Sequence, residues 1–237
     1  MQEKGKLYLI PTRLGDNPPL EVLPLSIKKI IEDLDDYIVE NEKTARRFIK
    51  RVVPSKSQPK LNLKVLNKFT DPSELSGFLD PCLNGISMGI ISEAGCPAIA
   101  DPGADIVAIA HEKDIKVVPL VGPSSILLAL MSSGMNGQSF AFHGYLPIDK
   151  QERKQQIKHL EKISFNHNQS QLFIETPYRN NQMLSDLAST LHPNTRLCVA
   201  CDLTLPSEFI KTKTAKEWKS NTEDLHKRPA IFIIHKS

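Results

Sequence analysis

The sequence predicts an α/β protein built from two α/β domains. Short apolar runs alternate with amphipathic helical patterns along nearly the whole 237-residue chain, and this alternation is typical of layered α/β folds with a largely parallel sheet. The strand-like runs number about ten, which is more than one small sheet usually holds. We therefore divide the chain into an N-terminal domain, residues 1–120, and a C-terminal domain, residues 121–237.

Each element follows from its local pattern. Strands are predicted from apolar runs at 7–10, 37–39, 86–91, 115–120, 140–143, 171–175, 196–201, 208–211 and 230–235. Helices are predicted from apolar residues at helical spacing at 22–36, 43–53, 104–113, 125–133, 150–163, 180–191 and 215–219. A further helix begins in "TDPSEL", where Asp71 is the predicted N-cap and Pro72 takes the first helical position.

The composition predicts an ordinary soluble globular protein, with 24% charged and 40% hydrophobic residues. No apolar stretch approaches the roughly 20 residues that a membrane helix needs, and the N-terminal "MQEKGKLYLIP" has no signal-peptide layout. We therefore expect a cytoplasmic protein with no membrane partner. The net charge of +3 is small, but the runs 43–60 and 150–162 are rich in Lys and Arg. Such runs are either solvated helix faces or contacts for a phosphate backbone.

The four cysteines predict core residues rather than a metal centre. Cys198 and Cys201 form a C-x-x-C pair in "CVAC", but the sequence has no second such pair to complete a zinc site. The pair falls in a predicted strand, where alternation of side chains would send the two thiols to opposite faces. We interpret the cysteines as small packed residues in a reducing cytoplasm.

Loops rich in glycine and proline follow several of the predicted strands. The longest, "SEAGCPAIADPG", runs from Ser92 to Gly103, and the others are "PTRLGDNPP", "VGPSS" and "ETPYR". Ligands of open α/β sheets bind beyond the carboxyl ends of the strands, and glycine permits close approach of the backbone. We therefore expect these loops to share one binding site. The alternative is a tight strand-to-helix connection in which Asp101 caps the following helix.

Five segments give the chain a family resemblance, namely "GKLYLIPTRLGDNP", "ISEAGCPAIADPG", "VPLVGPSSILLALMSSG", "FHGYLP" and "ETPYR". Their order and content resemble the tetrapyrrole methylase superfamily, and within it the small-subunit ribosomal RNA cytidine-2′-O-methyltransferases. The resemblance runs from Gly5 to about Glu208. It departs most in "ENEK", at residues 40–43, where that branch has Glu-Asp-Thr-Arg.

The resemblance implies two α/β domains with a ligand cleft between them, S-adenosylmethionine as the cofactor, and a homodimer. The residues that it places at the cofactor are Pro11, Leu14, Gly15, Glu93, Ala94, Gly95, Gly122, Pro123, Ser124, Phe142, His143, Thr176, Pro177, Pro229 and Ala230. For His143, the alternative is a packed, hydrogen-bonded core histidine.

Methyl transfer from a sulfonium depends mainly on positioning of the reactants, so we expect no metal. A ribose hydroxyl must still lose a proton, and Glu40 is the predicted base, with Lys43 as the second predicted catalytic residue. The predicted substrate contacts are Arg13, Arg46, Arg47, Asp101, Tyr178 and Arg179. The alternatives are a surface carboxylate for Glu40 and, for Arg179, an ion pair with Glu175 or Asp186.

The sequence thus favours a methyltransferase that uses S-adenosylmethionine and acts on a ribose 2′-oxygen of ribosomal RNA. Two alternatives stay open. One is methylation of a small molecule such as a tetrapyrrole. The other is a noncatalytic protein that binds the cofactor or RNA and has lost activity through the altered "ENEK" segment.

Overall fold

The structure, a computed structural model, describes residues 3–220 and 222–237. The chain divides into two compact units, and the boundary falls between Ser124 and Ser125. The sequence-based boundary after Leu120 differs from this because the loop that follows still packs on the first unit. A Cβ atom on Gly122 would lie 2.2 Å from Pro11 Cγ, so the chain is held against the first unit beyond Leu120.

The first unit is built on a parallel sheet of five strands in the described chain. Its strands are β1 (Lys6–Ile10), β2 (Asp36–Val39), β3 (Asn62–Val65), β4 (Met88–Ile91) and β5 (Lys116–Pro119). They lie in the order β3-β2-β4-β1-β5, and each pairing is parallel. Because these strands run in the same direction, the loops that follow β1, β2 and β4 meet at one edge of the sheet.

Helices cover both faces of this sheet. They are α1 (Pro19–Val22), α2 (Leu25–Asp33), α3 (Glu42–Val52), α4 (Asp80–Leu83) and α5 (Gly103–Glu112), with 3₁₀ turns at Gln58–Lys60 and Pro72–Gly77. Neighbouring residues of β2 alternate between two apolar cores, since Tyr37 and Val39 pack in one core and Ile38 packs in the other. Burial on both faces explains why the central strands are continuous apolar runs in the sequence.

Three predictions for this unit need correction. The single helix expected at 22–36 is divided at Pro24, which precedes α2, because proline lacks the N–H that a helix interior needs. The "TDPSEL" segment forms a 3₁₀ turn rather than an α-helix, although Asp71 caps it as predicted. The sequence pattern misses β3, because its four residues, "NLKV", mix polar and apolar side chains at the edge of the sheet.

The second unit contains a mixed sheet. Its strands within the described residues are β6 (Phe140–Tyr145), β7 (Ser170–Ile174), β8 (Arg196–Cys201), β9 (Phe209–Thr214) and β10 (Ala230–His235). They lie in the order β6-β7-β10-β8-β9. Strands β6 and β7 pair in parallel, whereas β7 with β10, β10 with β8, and β8 with β9 are antiparallel.

The prediction of a largely parallel sheet is therefore wrong for the second unit. Strands β8 and β9 are joined by residues 202–208 without a helix, and a parallel crossover needs a dozen residues or more. An alternation of apolar runs and helical patterns identifies the elements, but it does not determine whether neighbouring strands pair in parallel or antiparallel.

One face of the second sheet is covered by α7 (Lys150–His167), α8 (Asn180–Thr190) and α9 (Ala215–Trp218), and α6 (Ser125–Ser133) packs against β8, β9 and β10. Cys201 belongs to the core under the first three helices, whereas Cys198 is fully buried outside that core. The prediction that the two thiols face opposite ways is thus confirmed. Burial raises the pKa of both thiols, that of Cys201 to about 11, so both are neutral packing groups.

Candidate active site

A cavity of about 210 Å³ opens at the carboxyl edge of the first sheet. Its walls come from the loop after β1, the first turns of α3 and the end of β4. The lining residues are Thr12, Arg13, Leu14, Gly15, Asp16, Thr44, Ala45, Arg47, Phe48, Ile91, Ser92 and Glu93. The cavity lies where a parallel α/β sheet usually binds its ligand.

Hydrogen bonds join the loops after β1 and β4. The N–H of Thr12 donates to the carbonyl of Gly95 at 2.9 Å, and the hydroxyl of Ser92 donates to the same carbonyl at 2.7 Å. Gly95 has a φ of +76°, a conformation that glycine adopts without strain. The hydroxyl oxygen of Thr12 is buried and has no hydrogen-bond partner within the described chain. A buried polar atom of this kind is suited to a ligand.

The loop at Gly122 approaches the loop after β1 very closely. Its Cα stands so near Pro11 that any side chain larger than hydrogen would collide with the proline ring. The carbonyl of Pro123 accepts a hydrogen bond from the Cys96 thiol at 3.4 Å. The structure therefore brings together, within the first unit, the three loops that the sequence assigns to the cofactor.

Asp101 organises the long loop "SEAGCPAIADPG". Its carboxylate accepts hydrogen bonds from the N–H groups of Ala98 and Gly103, each at 2.8 Å, and Gly103 is the first residue of α5. The capping alternative for Asp101 is thus confirmed. Ala98 and Ala100 have positive φ values of 65° and 59°, a conformation uncommon for residues other than glycine. Burial raises the pKa of Asp101, and the two backbone hydrogen bonds oppose that shift.

Glu40 follows β2 and reaches the same loop. Its carboxylate accepts a hydrogen bond from the N–H of Glu93 at 3.3 Å. The hydroxyl of Thr44 donates to the Glu93 carboxylate at 2.5 Å. Burial is the main cause that raises the pKa of Glu40, and the nearby charges of Asp101 and Glu93 raise it further, while the Glu93 N–H lowers it. Glu40 is therefore a stronger base than a free surface carboxylate.

Most of the arginines near the cavity are held by partners within the first unit. Arg13 and Arg51 both pair with Asp16, at 2.8 and 2.5 Å. Arg46 pairs with Glu42 at 2.8 Å and donates to the carbonyl of Gln58 in the 3₁₀ turn after α3.

Two basic side chains of α3 stay available. Lys43 is exposed, and Arg47 is exposed and lines the cavity. Within residues 3–220 and 222–237, neither makes an ion pair. Of the arginines that the sequence assigns to the substrate in this unit, the structure leaves Arg47 the least engaged.

In the second unit, the "ETPYR" segment forms a loop closed by its own ion pair. The Arg179 guanidinium lies 2.5 Å from the buried Glu175 carboxylate, which also accepts the N–H of Thr176 at 2.6 Å. The ion-pair alternative for Arg179 is thus confirmed with Glu175. Asp186 instead pairs with Arg153 at 2.6 Å.

Tyr178 projects from this loop and is 70% exposed. Its ring packs edge-on against His226, with ring centroids 5.7 Å apart, and the Lys227 ammonium lies 5.9 Å from its centroid. The N–H of Lys227 donates to the Pro177 carbonyl at 2.9 Å, and the N–H of Asp202 donates to the Pro229 carbonyl at 3.0 Å. Segments 176–179 and 226–230 of the second unit therefore lie side by side.

His143 is hydrogen-bonded rather than free. Its Nε2 lies 2.7 Å from the Gln171 side-chain oxygen. The pairing of β6 with β7 becomes irregular just after Phe142, and Gly144 has a φ of +63°. His143 is thus hydrogen-bonded, as the alternative requires, but it is half-buried rather than part of the core. Phe142 still pairs with Leu172, and the irregularity removes His143 and Gly144 from the regular ladder.

Sequence reasoning missed seven of the residues that line the cavity, namely Thr12, Asp16, Thr44, Ala45, Phe48, Ile91 and Ser92. Thr12 and Ser92 stand in the quoted loops, so their hydroxyl groups were a usable signal. Thr44 and Phe48 lie on α3, and only the fold brings that helix to the loop after β1. Among the described residues, no cluster of His, Cys, Asp and Glu could hold a metal ion, and no helix there is long and apolar enough to cross a bilayer.

Comparisons with known proteins agree on a fold. No protein-family model matches the chain. Among solved structures, the methyltransferase CobJ aligns with a TM-score of 0.63 over 98% of this chain and 95% of its own, at 13% identity. A cobalt precorrin-4 methyltransferase aligns with a TM-score of 0.60 over 97% and 94%, at 15% identity. The fold is that of the tetrapyrrole methylases.

Curated relatives agree on a family. Ribosomal RNA small subunit methyltransferase I of Bacillus subtilis is 30% identical over 210 residues, which cover 88% of this chain and 68% of that protein. The protein of the same name from Vibrio cholerae is 26% identical over 232 residues, which cover 97% and 76%. The fold and these relatives define a methyltransferase. The chain belongs to the ribosomal RNA small subunit methyltransferase I family.

Proposed function

We propose that this methyltransferase transfers a methyl group from S-adenosylmethionine to a ribose 2′-oxygen of small-subunit ribosomal RNA. The observation that carries the proposal is the name shared by relatives aligned over most of the chain. The cavity of the first unit supports it, because this cavity combines loops that offer peptide groups with an unpaired basic side chain, that of Arg47.

The first unit fits the cofactor on two observations. The buried Thr12 hydroxyl, which lacks a partner in the described chain, offers a hydrogen bond to a polar ligand atom. A Cβ atom on Gly95 would crowd Leu14, and a Cβ atom on Gly122 would crowd Pro11. At these two positions the loops therefore offer a ligand main-chain groups rather than side chains. When bound, S-adenosylmethionine supplies a methyl group that its positive sulfur already activates.

The proposed cofactor contacts come from both units. In the first unit they are Pro11, Leu14, Gly15, Glu93, Ala94, Gly95, Gly122, Pro123 and Ser124. In the second unit they are Phe142, His143, Thr176, Pro177, Pro229 and Ala230. Carbonyl groups of such loops can orient a sulfonium without a charged side chain, because their dipoles favour a positive ligand.

The chain's own residues then act on the acceptor. We propose that Glu40 takes the proton of the ribose hydroxyl, since burial raises the pKa of its carboxyl and makes it a better proton acceptor. Lys43 and Arg47 bind phosphate groups beside it. Arg13 and Arg46, which are paired with acids, orient the loop and the helix that carry these groups, and Tyr178 offers an exposed ring for a base.

The test is transfer of a tritiated methyl group to small ribosomal subunits and to protein-free RNA from cells that lack the modification. The expected result is stoichiometric labelling of RNA, with the label recovered on a ribose after digestion to nucleosides. A tetrapyrrole precursor serves as the competing acceptor. Labelling of the tetrapyrrole alone, or cofactor binding without any transfer, would contradict the proposal.

We also propose that the protein works in the cytoplasm as a homodimer. Sedimentation equilibrium on the whole chain measures the second point, with a mass of twice 26.5 kDa as the expected value. A single species at the protomer mass at micromolar concentration would contradict it.

A further inference from the structure

Helix α7 sorts its charged residues between two faces. Arg153 turns inward and pairs with Asp186 at 2.6 Å, with both side chains buried. Glu161 also turns inward, where its carboxylate accepts hydrogen bonds from the His192 N–H at 2.8 Å and from the Thr195 hydroxyl. The inward charges of the helix are therefore all satisfied within the second unit.

The outward face of α7 carries a lysine stripe, which we define as Lys150, Lys154, Lys158 and Lys162. All four are exposed, and within the described residues none of them makes an ion pair. Their spacing of four residues sets neighbours about 6 Å apart along the helix, so the stripe is about 18 Å long.

The side chains beside the lysine stripe do not neutralise it. Gln151 and Gln155 are exposed, uncharged hydrogen-bonding groups on the same side of the helix. Glu152 is the one exposed acid of α7, because the other acid of the helix, Glu161, is buried. Asp149, the N-cap of α7, is also exposed, but neither Asp149 nor Glu152 makes an ion pair with a lysine of the stripe within the described residues. Like charges four residues apart disfavour a helix, so such an unpaired row is typical of a surface that meets a polyanion.

The basic run on α3 has a different arrangement. There Arg46 and Arg51 are engaged by Glu42 and Asp16, and Lys50 donates to the carbonyl of Pro54. Within the described residues, Lys43, Arg47 and Lys50 of α3 lack an acid partner, against the four stripe lysines of α7. The second unit is therefore a source of nonspecific attraction for a polyanion at least equal to α3.

We propose that the lysine stripe of α7 binds consecutive phosphates of the RNA substrate and supplies most of the salt-dependent part of its affinity. This inference rests on the proposed function, because RNA is the polyanion that the proposed reaction presents. Four ammonium groups in a row, each free to rotate on a flexible stem, suit a phosphate backbone and carry no preference for base sequence. The stripe binds substrate and takes no part in methyl transfer.

The test compares two variants of the whole chain that lose the same charge. The stripe variant carries Lys150→Gln, Lys154→Gln, Lys158→Gln and Lys162→Gln. The control variant carries Lys29→Gln, Lys116→Gln, Lys211→Gln and Lys216→Gln, four exposed lysines that do not form a row. The dissociation constant for the RNA substrate is measured by titration across a range of salt concentrations, and kcat and KM are measured at low salt.

For the stripe variant we expect the slope of log affinity against log salt to fall in magnitude by about 3, since each phosphate contact contributes about 0.7 to 0.9. We expect KM for RNA to rise at least about tenfold, with kcat at saturating RNA unchanged. A variant with Lys→Arg at the same four positions keeps the charge and is expected to keep the slope. Circular dichroism melting verifies that each variant is folded.

The outcomes separate this inference from the proposed function. If wild type methylates RNA but the stripe variant keeps the slope and KM of the control variant, the lysine stripe is a solvated helix face and only this inference is overturned. If wild type binds no RNA at any salt concentration, both proposals are overturned. A slope that falls equally in the stripe and control variants also overturns the inference, because the effect would then be one of net charge.

Discussion

The carboxylate of Glu40 accepts a hydrogen bond from the main-chain N–H of Glu93 at 3.3 Å. This contact joins the end of β2 to the loop after β4, although the two residues are far apart in the chain. It fixes one carboxylate oxygen at the carboxyl edge of the first sheet, and the other makes no hydrogen bond among the described residues. Burial raises the pKa of this carboxyl, so the position combines orientation with basicity.

The first prediction concerns Glu40→Gln. The amide keeps an oxygen that accepts the Glu93 N–H but cannot take a proton, so we expect kcat to fall about 100-fold to 10,000-fold with cofactor affinity unchanged. Because the pKa of Glu40 is raised, wild-type kcat should increase with pH as this carboxyl ionises. This increase of kcat with pH should be absent in the Glu40→Gln variant. Glu112→Gln, an exposed carboxylate at the end of α5, is the control. Normal turnover in Glu40→Gln would place the base elsewhere.

The second prediction concerns Thr12→Val. The Thr12 hydroxyl is buried without a partner in the described chain, so its replacement by a methyl group should leave the free energy of unfolding unchanged or raise it by about 1 kcal/mol. Affinity for S-adenosylmethionine should fall about fivefold, because the ligand loses a hydrogen bond. Chemical denaturation and calorimetry measure the two quantities.

Thr195→Val is the contrasting control for this experiment. Its hydroxyl donates to the buried Glu161 carboxylate, so the variant should lose about 1 to 3 kcal/mol of unfolding free energy without a change in cofactor affinity. If Thr12→Val weakens folding and leaves cofactor affinity intact, the hydroxyl has a structural partner and no ligand role.

The third prediction concerns Gly122→Ala. A Cβ atom there would stand 2.2 Å from Pro11 Cγ, so the loop must move away from the loop after β1. We expect a loss of about 1 to 3 kcal/mol of unfolding free energy and a measurable drop in cofactor affinity. Gly137→Ala is the matched control, since no atom lies within 4 Å of its Cβ position. Equal behaviour of the two variants in thermal melting would refute the close approach.

The fourth prediction concerns the pH dependence of Asp101→Asn. The pKa of Asp101 is higher in the folded protein than in the unfolded chain, so the folded protein binds this proton more tightly. The stability that Asp101 contributes to wild type is therefore lost as pH rises from 3.8 through the raised pKa. The asparagine keeps an oxygen for the Ala98 and Gly103 N–H groups. The variant should therefore gain in unfolding free energy, relative to wild type, as pH rises through that window.

Asp71→Asn should show the opposite sign. Hydrogen bonds from Ser73 lower the pKa of Asp71, so wild-type stability from this group is present above 3.8 and is lost as pH falls through the lowered pKa. Urea denaturation at several pH values measures both variants. If the unfolding free energies of Asp101→Asn and Asp71→Asn, each relative to wild type, changed with pH in the same direction, the two carboxyls would not have pKa values shifted in opposite directions.

The fifth prediction concerns the buried ion pair of Arg153 with Asp186. Arg153→Leu alone leaves a buried carboxylate without its partner and should cost about 3 to 5 kcal/mol of unfolding free energy. The double variant Arg153→Leu with Asp186→Leu should recover most of this loss. Additive effects of the two single variants in a denaturation cycle would contradict the pairing.

Sequence patterns predicted the parts of the site that depend on neighbours in the chain. Asp71 and Asp101 cap turns two residues away, so their roles follow from local spacing. The glycine- and proline-rich loops were also predictable, because their composition reflects backbone geometry. Arg51 and Asp16 form an ion pair across 35 positions, and no local pattern of either residue distinguishes this pair from free surface charges.

The sequence by itself determined the order of most of the elements, the α/β class and the glycine- and proline-rich loops, because hydrophobic period and turn chemistry act over a few residues. Only the tertiary structure decided that the second sheet is mainly antiparallel, that Glu40 meets Glu93, and that two of the three arginines of α3, Arg46 and Arg51, are paired while the lysine stripe of α7 is not. These features depend on which distant segments lie side by side, and that arrangement is set by packing of the whole unit rather than by any one segment.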